Sequence, residues 1–211
     1  CIHFHRDVLA MADTFARFVL EPEIDDVFVA TPPIAFTFGL GGAVVFPLRF
    51  GCATSFLTRA GPGALLDHIA RHQVSVLFTA PTSYRQMLAT PDWPDISSLK
   101  KCVSAGEHLP QATSDAWFER TGIRCIDGIG ATEMIHIFIS AAGDDIRPGS
   151  TGKPVPGFRA AILDEAGHEL GDGEVGRLAV RGPTGCRYLD DERQAKYVQH
   201  GWNVTGDTYR R

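Results

Sequence analysis

Four short segments carry glycines, hydroxyls and carboxylates at spacings that suit ligand binding. The richest is Asp127-Gly128-Ile129-Gly130-Ala131-Thr132-Glu133. Its glycines let the backbone approach a ligand closely, Thr132 offers a hydroxyl to a phosphate oxygen, and Glu133 supplies a hard oxygen ligand suited to Mg²⁺. On spacing alone the same residues also make a Gly-rich turn with a capping threonine. Ser104-Ala105-Gly106-Glu107 reads either as a second ligand corner or as a plain strand-to-helix turn, with Pro110 near the start of the next helix. The run from Gly171 to Gly182 is, on spacing, a hairpin with an alternating strand. Thr205-Gly206-Asp207 ends in a carboxylate able to accept two hydroxyl donors from a sugar.

These segments need elements to hold them. From Asp26 onward, β-branched runs alternate with helical patterns, the signature of an α/β fold with a parallel sheet covered by helices. The runs predict strands at Val27-Val29, Ala53-Leu57, Val74-Phe78, Lys101-Ser104 and Ile123-Ile126. Leu65, Leu66 and Ile69 share one helical face, Tyr84, Met87 and Leu88 mark a second helix after Pro81, and Ala112 to Phe118 a third after Pro110. Both leading segments then fall at the carboxyl ends of parallel strands, where ligands of such sheets bind. Near residue 150 the pattern changes, because Gly and Pro punctuate strands such as Arg159-Leu163 and Arg177-Val180. The expected organisation is an α/β subdomain over 1–149, holding the pocket and the nucleotide loops, followed by an incomplete β-rich subdomain over 150–211.

Composition narrows the function. With 211 residues, 44% apolar and 21% charged, the chain can build an ordinary globular core. A net charge of −5 argues against nucleic acid or an anionic membrane as partner, since both demand a basic surface. Five dispersed cysteines without a Cys-x-x-Cys pair fit reduced thiols in the cytoplasm. The 22 uncharged residues from Val27 to Leu48 are long enough to span a bilayer, but Pro32-Pro33, Gly39, Gly41, Gly42 and Pro47 favour a strand, a loop and a buried helix. His3 and His5 would share one face of a strand without a third metal ligand nearby. Cys102 and Cys125 read as inert apolar filler, Phe36 and Phe38 as core by default, and His136 by periodicity as core or rim.

The order and separation of the four segments resemble the adenylate-forming enzymes: acyl- and aryl-CoA synthetases, luciferases and the adenylation domains of peptide synthetases. The resemblance covers essentially the whole chain. Cys1-Ile2-His3-Phe4-His5, Ala35-Phe36-Thr37-Phe38-Gly39-Leu40-Gly41 and Glu133-Met134-Ile135-His136-Ile137-Phe138 are similar to the benzoate- and aminobenzoate-CoA ligase branch. The resemblance implies the core of the adenylate-forming N-terminal domain, acting on ATP/AMP, Mg²⁺ and CoA in the activation of an aryl carboxylate, with a second copy of the chain left open as a partner. By position, Ala105, Gly106 and Glu107 would lie along the adenine and ribose. Asp127 would meet the adenine amino group, Gly128 and Gly130 the nucleotide, and Ile129 the adenine ring face, where many relatives place an aromatic. Thr132 would touch the α-phosphate, Glu133 would hold Mg²⁺, and Asp207 would bind the ribose hydroxyls. Thr37, Phe38, Gly128 and His136 would line the aryl-carboxylate pocket, with His136 facing the carboxylate.

The family also carries a Ser/Thr/Gly-rich phosphate loop expected just before Cys1 and a small C-terminal domain with a catalytic lysine expected after Arg211. The chain therefore reads as an internal piece, inactive by itself. The competing readings are a non-catalytic nucleotide-binding or folding unit of a fatty or other acyl-CoA synthetase, and a Rossmann-type dehydrogenase. The last lacks the Gly-x-Gly-x-x-Gly turn after a first strand that it requires.

Overall fold

The computed structural model describes residues 1–58, 61–185 and 187–211, so Cys186 lies outside the described residues. Helix α1 (His5–Met11) runs on into a π-helical segment, Ala12–Leu20, and is followed by strand β1 (Val27–Ala30). A second helical run consists of α2 (Thr37–Leu40), a π-helical segment at Gly41–Val45, and α3 (Phe46–Phe50). Then come β2 (Ala53–Thr54), α4 (Pro62–His72), β3 (Val76–Thr79), α5 (Pro81–Leu88), β4 (Lys101–Ser104), α6 (Gln111–Thr121), β5 (Cys125–Gly130), β6 (Ile137–Ser140) and β7 (Lys153–Pro154).

Local chemistry sets these boundaries. Pro62 opens α4 in the first turn, where its missing N–H has no partner to lose. Gly122, at φ +72°, closes α6 in the left-handed conformation that side chains resist. The uncharged stretch from Val27 forms β1, a loop and a buried helix, as its prolines and glycines predict. No helix among the described residues is long and apolar enough to cross a membrane.

The first sheet has strand order β2-β1-β3-β4-β5-β6-β7. Neighbours from β2 through β5 are parallel; β5–β6 and β6–β7 are antiparallel. Side chains alternate across it, as the pleat requires. Phe28, Val76, Phe78, Val103 and Ile126 enter one core with the helices of residues 5–20 and 37–50. Val29, Leu77, Cys102 and Cys125 enter the other with α4, α5 and α6, around Tyr84 and Trp117. At the amino end of β1, fully buried Asp26 accepts hydrogen bonds from the Ser75 hydroxyl (2.7 Å), the Glu23 N–H (2.9 Å) and the Lys101 ammonium (3.0 Å). Burial opposes that charge, yet the three donors outweigh it and hold the carboxyl below its usual range.

The remaining chain builds a second, antiparallel sheet in the order β10-β11-β9-β8, from β8 (Arg159–Leu163), β9 (Val175–Arg181), β10 (Val198–Gln199) and β11 (Trp202–Arg210), with short helix α7 (Arg193–Tyr197) before β10. Ile162, Leu178 and Val180 on its inner face join the core of the first sheet. β7 belongs to the first sheet, a few residues past the expected boundary at 149/150.

Three elements differ from the sequence reading. His3 and His5 are not neighbours on a strand: His5 begins α1, because the Asp7 carboxylate accepts the Phe4 N–H (2.9 Å) and caps that helix. No group of three or more His, Cys, Asp or Glu residues that could hold a metal occurs among the described residues. Strand β2 stops at Thr54 instead of Leu57, and β5 begins at Cys125 and runs on to Gly130.

Candidate functional site

That extension of β5 rearranges the richest motif. Asp127 to Gly130 are not a loop after the strand but its carboxyl end, paired with β6 through Gly128↔Ser140, Ile129↔Ile139 and Gly130↔Ile137, with an irregularity before Gly130. Glycine is required there by close packing: a Cβ at Gly128 would stand 2.7 Å from the Ile137 side chain, and one at Gly130 would stand 2.8 Å from the His136 carbonyl oxygen. The turn proper is a single 3₁₀ turn, Thr132–Met134, closed by Ile135 at φ +67°. A β-branched residue in that region carries backbone strain of about 1–3 kcal/mol.

A cavity of about 530 Å³ opens at the carboxyl ends of the parallel strands. Ala105, Gly106 and Glu107 after β4 line one side; Gly130, the last residue of β5, with Ala131 and Thr132 after it, lines another. Thr37 and Phe38 of α2 and the His136 ring close it, with Phe36, Pro32, Ala80 and Ile137 completing the wall. Thus Thr37, Phe38, Ala105, Gly106, Glu107, Gly130, Thr132 and His136, expected from segments a hundred residues apart, meet in one space. Its size falls within the usual range of small-molecule pockets. Glu107 is oriented by the Thr82 hydroxyl, which donates to Oε2 (2.8 Å).

His136 is 3% exposed and caged by aromatic rings: Phe46 at 4.7 Å, Phe15 at 5.2 Å and Phe38 at 5.9 Å between centroids. Burial pulls its pKa down to about 3, so the imidazole is neutral at physiological pH. Neither ring nitrogen has a hydrogen-bond partner among the described residues. A buried polar group left unpaired is costly, and this one stands at a cavity wall where a ligand can satisfy it. The helix can press so closely on the ring because Gly41 has no side chain; a Cβ there would come within 2.6 Å of it.

Asp127 points elsewhere. Together with His108, Arg124, Arg147, Ser150 and Thr151 it lines a smaller cavity of about 150 Å³. The chain from 105 to 109 partitions the two spaces: residues 105–107 face the larger, His108 and Leu109 the smaller. Oδ1 of Asp127 is buried without a hydrogen-bond partner among the described residues, and burial pushes the carboxyl above its usual range. Gly128 and Ile129 line neither cavity; Gly128 packs beneath Ile137, and Ile129 packs against the core. Asp207 also lines neither, and it sits exposed on β11 beside the register shift, its N–H donating to the Thr205 hydroxyl (3.2 Å). Glu133 lies just past the cavity-lining Thr132, and one of its carboxylate oxygens, Oε1, accepts the Tyr188 hydroxyl.

Sequence reasoning missed three residues that grip this turn, namely His3, Thr184 and Tyr188. Each lies 50 or more positions from its partner, so local spacing carried no signal for them. Two carboxylates expected at one nucleotide, Glu133 and Asp207, line neither of these two cavities.

The sequence profile of the AMP-binding enzymes matches residues 1–188. Benzoate–CoA ligase of Thauera aromatica is 36% identical over 214 residues, covering 99% of this chain and 41% of that protein. Among solved structures, a benzoate CoA ligase from Burkholderia xenovorans LB400 superposes with a TM-score of 0.93 at 33% identity, over 99% of this chain and 44% of that one. The anthranilate CoA ligase AuaEII, solved in complex with anthranoyl-AMP, superposes with a TM-score of 0.92 at 39% identity, over 98% of this chain and 41% of that one. The chain thus spans about two fifths of the length of these relatives.

Proposed function

Because the chain belongs to the family of AMP-binding enzymes, we propose that it forms the substrate-binding centre of an ATP-dependent aryl-CoA ligase acting on benzoate or an aminobenzoate. The reaction would run in two steps. A carboxylate oxygen attacks the α-phosphorus of ATP and pyrophosphate leaves; the CoA thiol sulfur then attacks the acyl carbonyl carbon and AMP leaves. The observation that carries this reading is the shared cavity of Thr37, Phe38, His136, the 105–107 corner and Thr132.

Each residue then has a task. Phe38 and Phe36 supply apolar walls for a ring, and neutral His136 supplies the polar contact that the acid group satisfies. The Thr132 hydroxyl meets the α-phosphate, and residues 105–107 run along the nucleoside. The unpaired Oδ1 of Asp127, in the adjoining smaller cavity, suits an adenine amino donor. Mg²⁺ enters as part of the substrate Mg·ATP; one carboxylate beside phosphate oxygens is an adequate protein contribution for it, and Glu133 is the residue we assign. For Asp207 the ribose role rests on its motif alone. We place the reaction in the cytoplasm, on the strength of the dispersed cysteines without a Cys-x-x-Cys pair, and in the breakdown of aromatic acids, on the strength of the relatives' substrates.

The described lining of the larger cavity contains no Lys or Arg. Adenylation brings two anions together and needs positive charge in the transition state, of which Mg²⁺ covers a part. The 211 residues alone are accordingly expected to bind nucleotide but to run pyrophosphate–ATP exchange at least about a hundredfold slower than the longer protein that contains them. Equal rates would contradict this. The class itself is tested by exchange in that longer protein over benzoate, aminobenzoates and short fatty acids. Exchange supported by the aryl acids is the expected result, and exchange supported only by aliphatic acids would overturn the aryl reading.

A further inference from the structure

The 132–134 turn is held at three consecutive residues by three side chains that line neither cavity. The Nε2 atom of His3 lies 2.7 Å from the Thr132 carbonyl oxygen. The Tyr188 hydroxyl donates to Oε1 of Glu133, and the Thr184 hydroxyl donates to the Met134 carbonyl oxygen (2.9 Å). The partners are separated by 129, 55 and 50 positions, so the contacts exist only in the folded chain.

Two of the three holding residues, His3 and Tyr188, are themselves tied together. Ile2 and Arg187, the neighbours of His3 and Tyr188, form an antiparallel bridge, with Ile2 N–H donating to the Arg187 carbonyl (2.7 Å) and Arg187 N–H to the Ile2 carbonyl (3.3 Å). The other ring nitrogen of His3, Nδ1, lies 3.3 Å from the buried Asp7 carboxylate. Tyr188 is steadied by the Gln194 side chain, which accepts its N–H (2.8 Å), and by the Arg193 guanidinium 4.6 Å above its ring. A strained residue, Ile135, ends the turn, and such a conformation persists only where its surroundings enforce it.

We infer that His3, Thr184 and Tyr188 are positioning residues that fix the 132–134 turn so that the Thr132 hydroxyl and the second carboxylate oxygen of Glu133 face Mg·ATP together. Tyr188 takes one oxygen and leaves Oε2 for the cation; His3 and Thr184 lock the backbone on either side. The inference rests on the reading of this turn as the phosphate-facing part of the site.

The test uses the longer protein that contains this chain, with Tyr188→Phe, Thr184→Val and His3→Ala, and with Thr184→Ser as the conservative variant. Tyr188→Phe keeps the ring and its Arg193 contact and removes one donor. The expected result is a rise of about tenfold in KM for Mg·ATP, the effect of one hydrogen bond to a charged group, with KM for the aryl acid within about twofold of wild type. Amide hydrogen exchange at Met134 and Ile135 should rise in Thr184→Val and His3→Ala but not elsewhere, and Thr184→Ser should restore both readouts. Unchanged KM for Mg·ATP in Tyr188→Phe and Thr184→Val would overturn the inference, as would a uniform rise of exchange across the molecule. If the wild type showed no exchange activity with any acid, the proposed function would fail by itself, while amide exchange at 134–135 would still decide whether the clamp exists.

Discussion

His136 concentrates the residue-scale argument. The unfolded chain protonates a histidine near pH 6.5, whereas the folded imidazole, desolvated among Phe15, Phe38, Phe46 and Phe78, does so near pH 3. Its pKa is lowered on folding, so this contribution to stability is complete above pH 6.5 and is lost as pH falls toward 3, at up to about 1.4 kcal/mol per pH unit. Urea unfolding at pH 7 and pH 5 should therefore show a steeper loss in wild type than in His136→Gln; equal slopes would contradict a neutral buried ring. Gly41→Ala tests the same contact from the helix side. Its methyl group must displace the His136 ring, with a stability loss of about 1–3 kcal/mol from overpacking and a raised KM for the acid. A variant with wild-type stability and KM would show that the ring moves freely. The type of residue at 136 was readable, and so was its membership in a motif; that its ring nitrogens lack a hydrogen-bond partner among the described residues came only from the aromatic residues that three separate stretches of the chain fold around it.

At the scale of elements, what the sequence made legible was periodicity. Helices α4, α5 and α6 and strands β1, β3 and β4 stand within a few residues of their apolar patterns, because Pro62, Pro81, Pro110 and Gly122 punctuate them. The π-helical segments at 12–20 and 41–45 are opened by no comparable proline, and the apolar spacing does not separate them from the α-helices they continue. The carboxyl end of β5 was misread because Gly-x-Gly usually signals a turn. Here the glycines serve close passage beneath Ile137 and beside the His136 backbone. The buried cluster around Asp26 also depends on pairing between distant elements. Removing its cation in Lys101→Met leaves a fully buried carboxylate with only neutral donors, and should lower unfolding free energy by about 2 kcal/mol at pH 7. A change below about 0.5 kcal/mol would mean that the Ser75 and Glu23 bonds suffice.

For the molecule as a whole, two sheets share one core, and the cavity forms where the parallel part of the first sheet ends. The family likeness runs across both sheets, which explains why motif order located most of the cavity wall while single motifs did not. Asp207 marks where that method ran out: its segment is recognisable, yet its side chain lies on the second sheet and outside both cavities. In the proposed function the aryl acid and the nucleotide occupy the space between Phe38, His136, Thr132 and the 105–107 corner. A crystal structure of the longer protein with a non-hydrolysable aryl-adenylate analogue tests that directly. The aryl ring should lie against Phe38 with His136 bonded to its acyl group, the α-phosphate mimic should touch Thr132, and the adenine amino group should reach Asp127. An analogue bound elsewhere, with this cavity empty, would contradict the account.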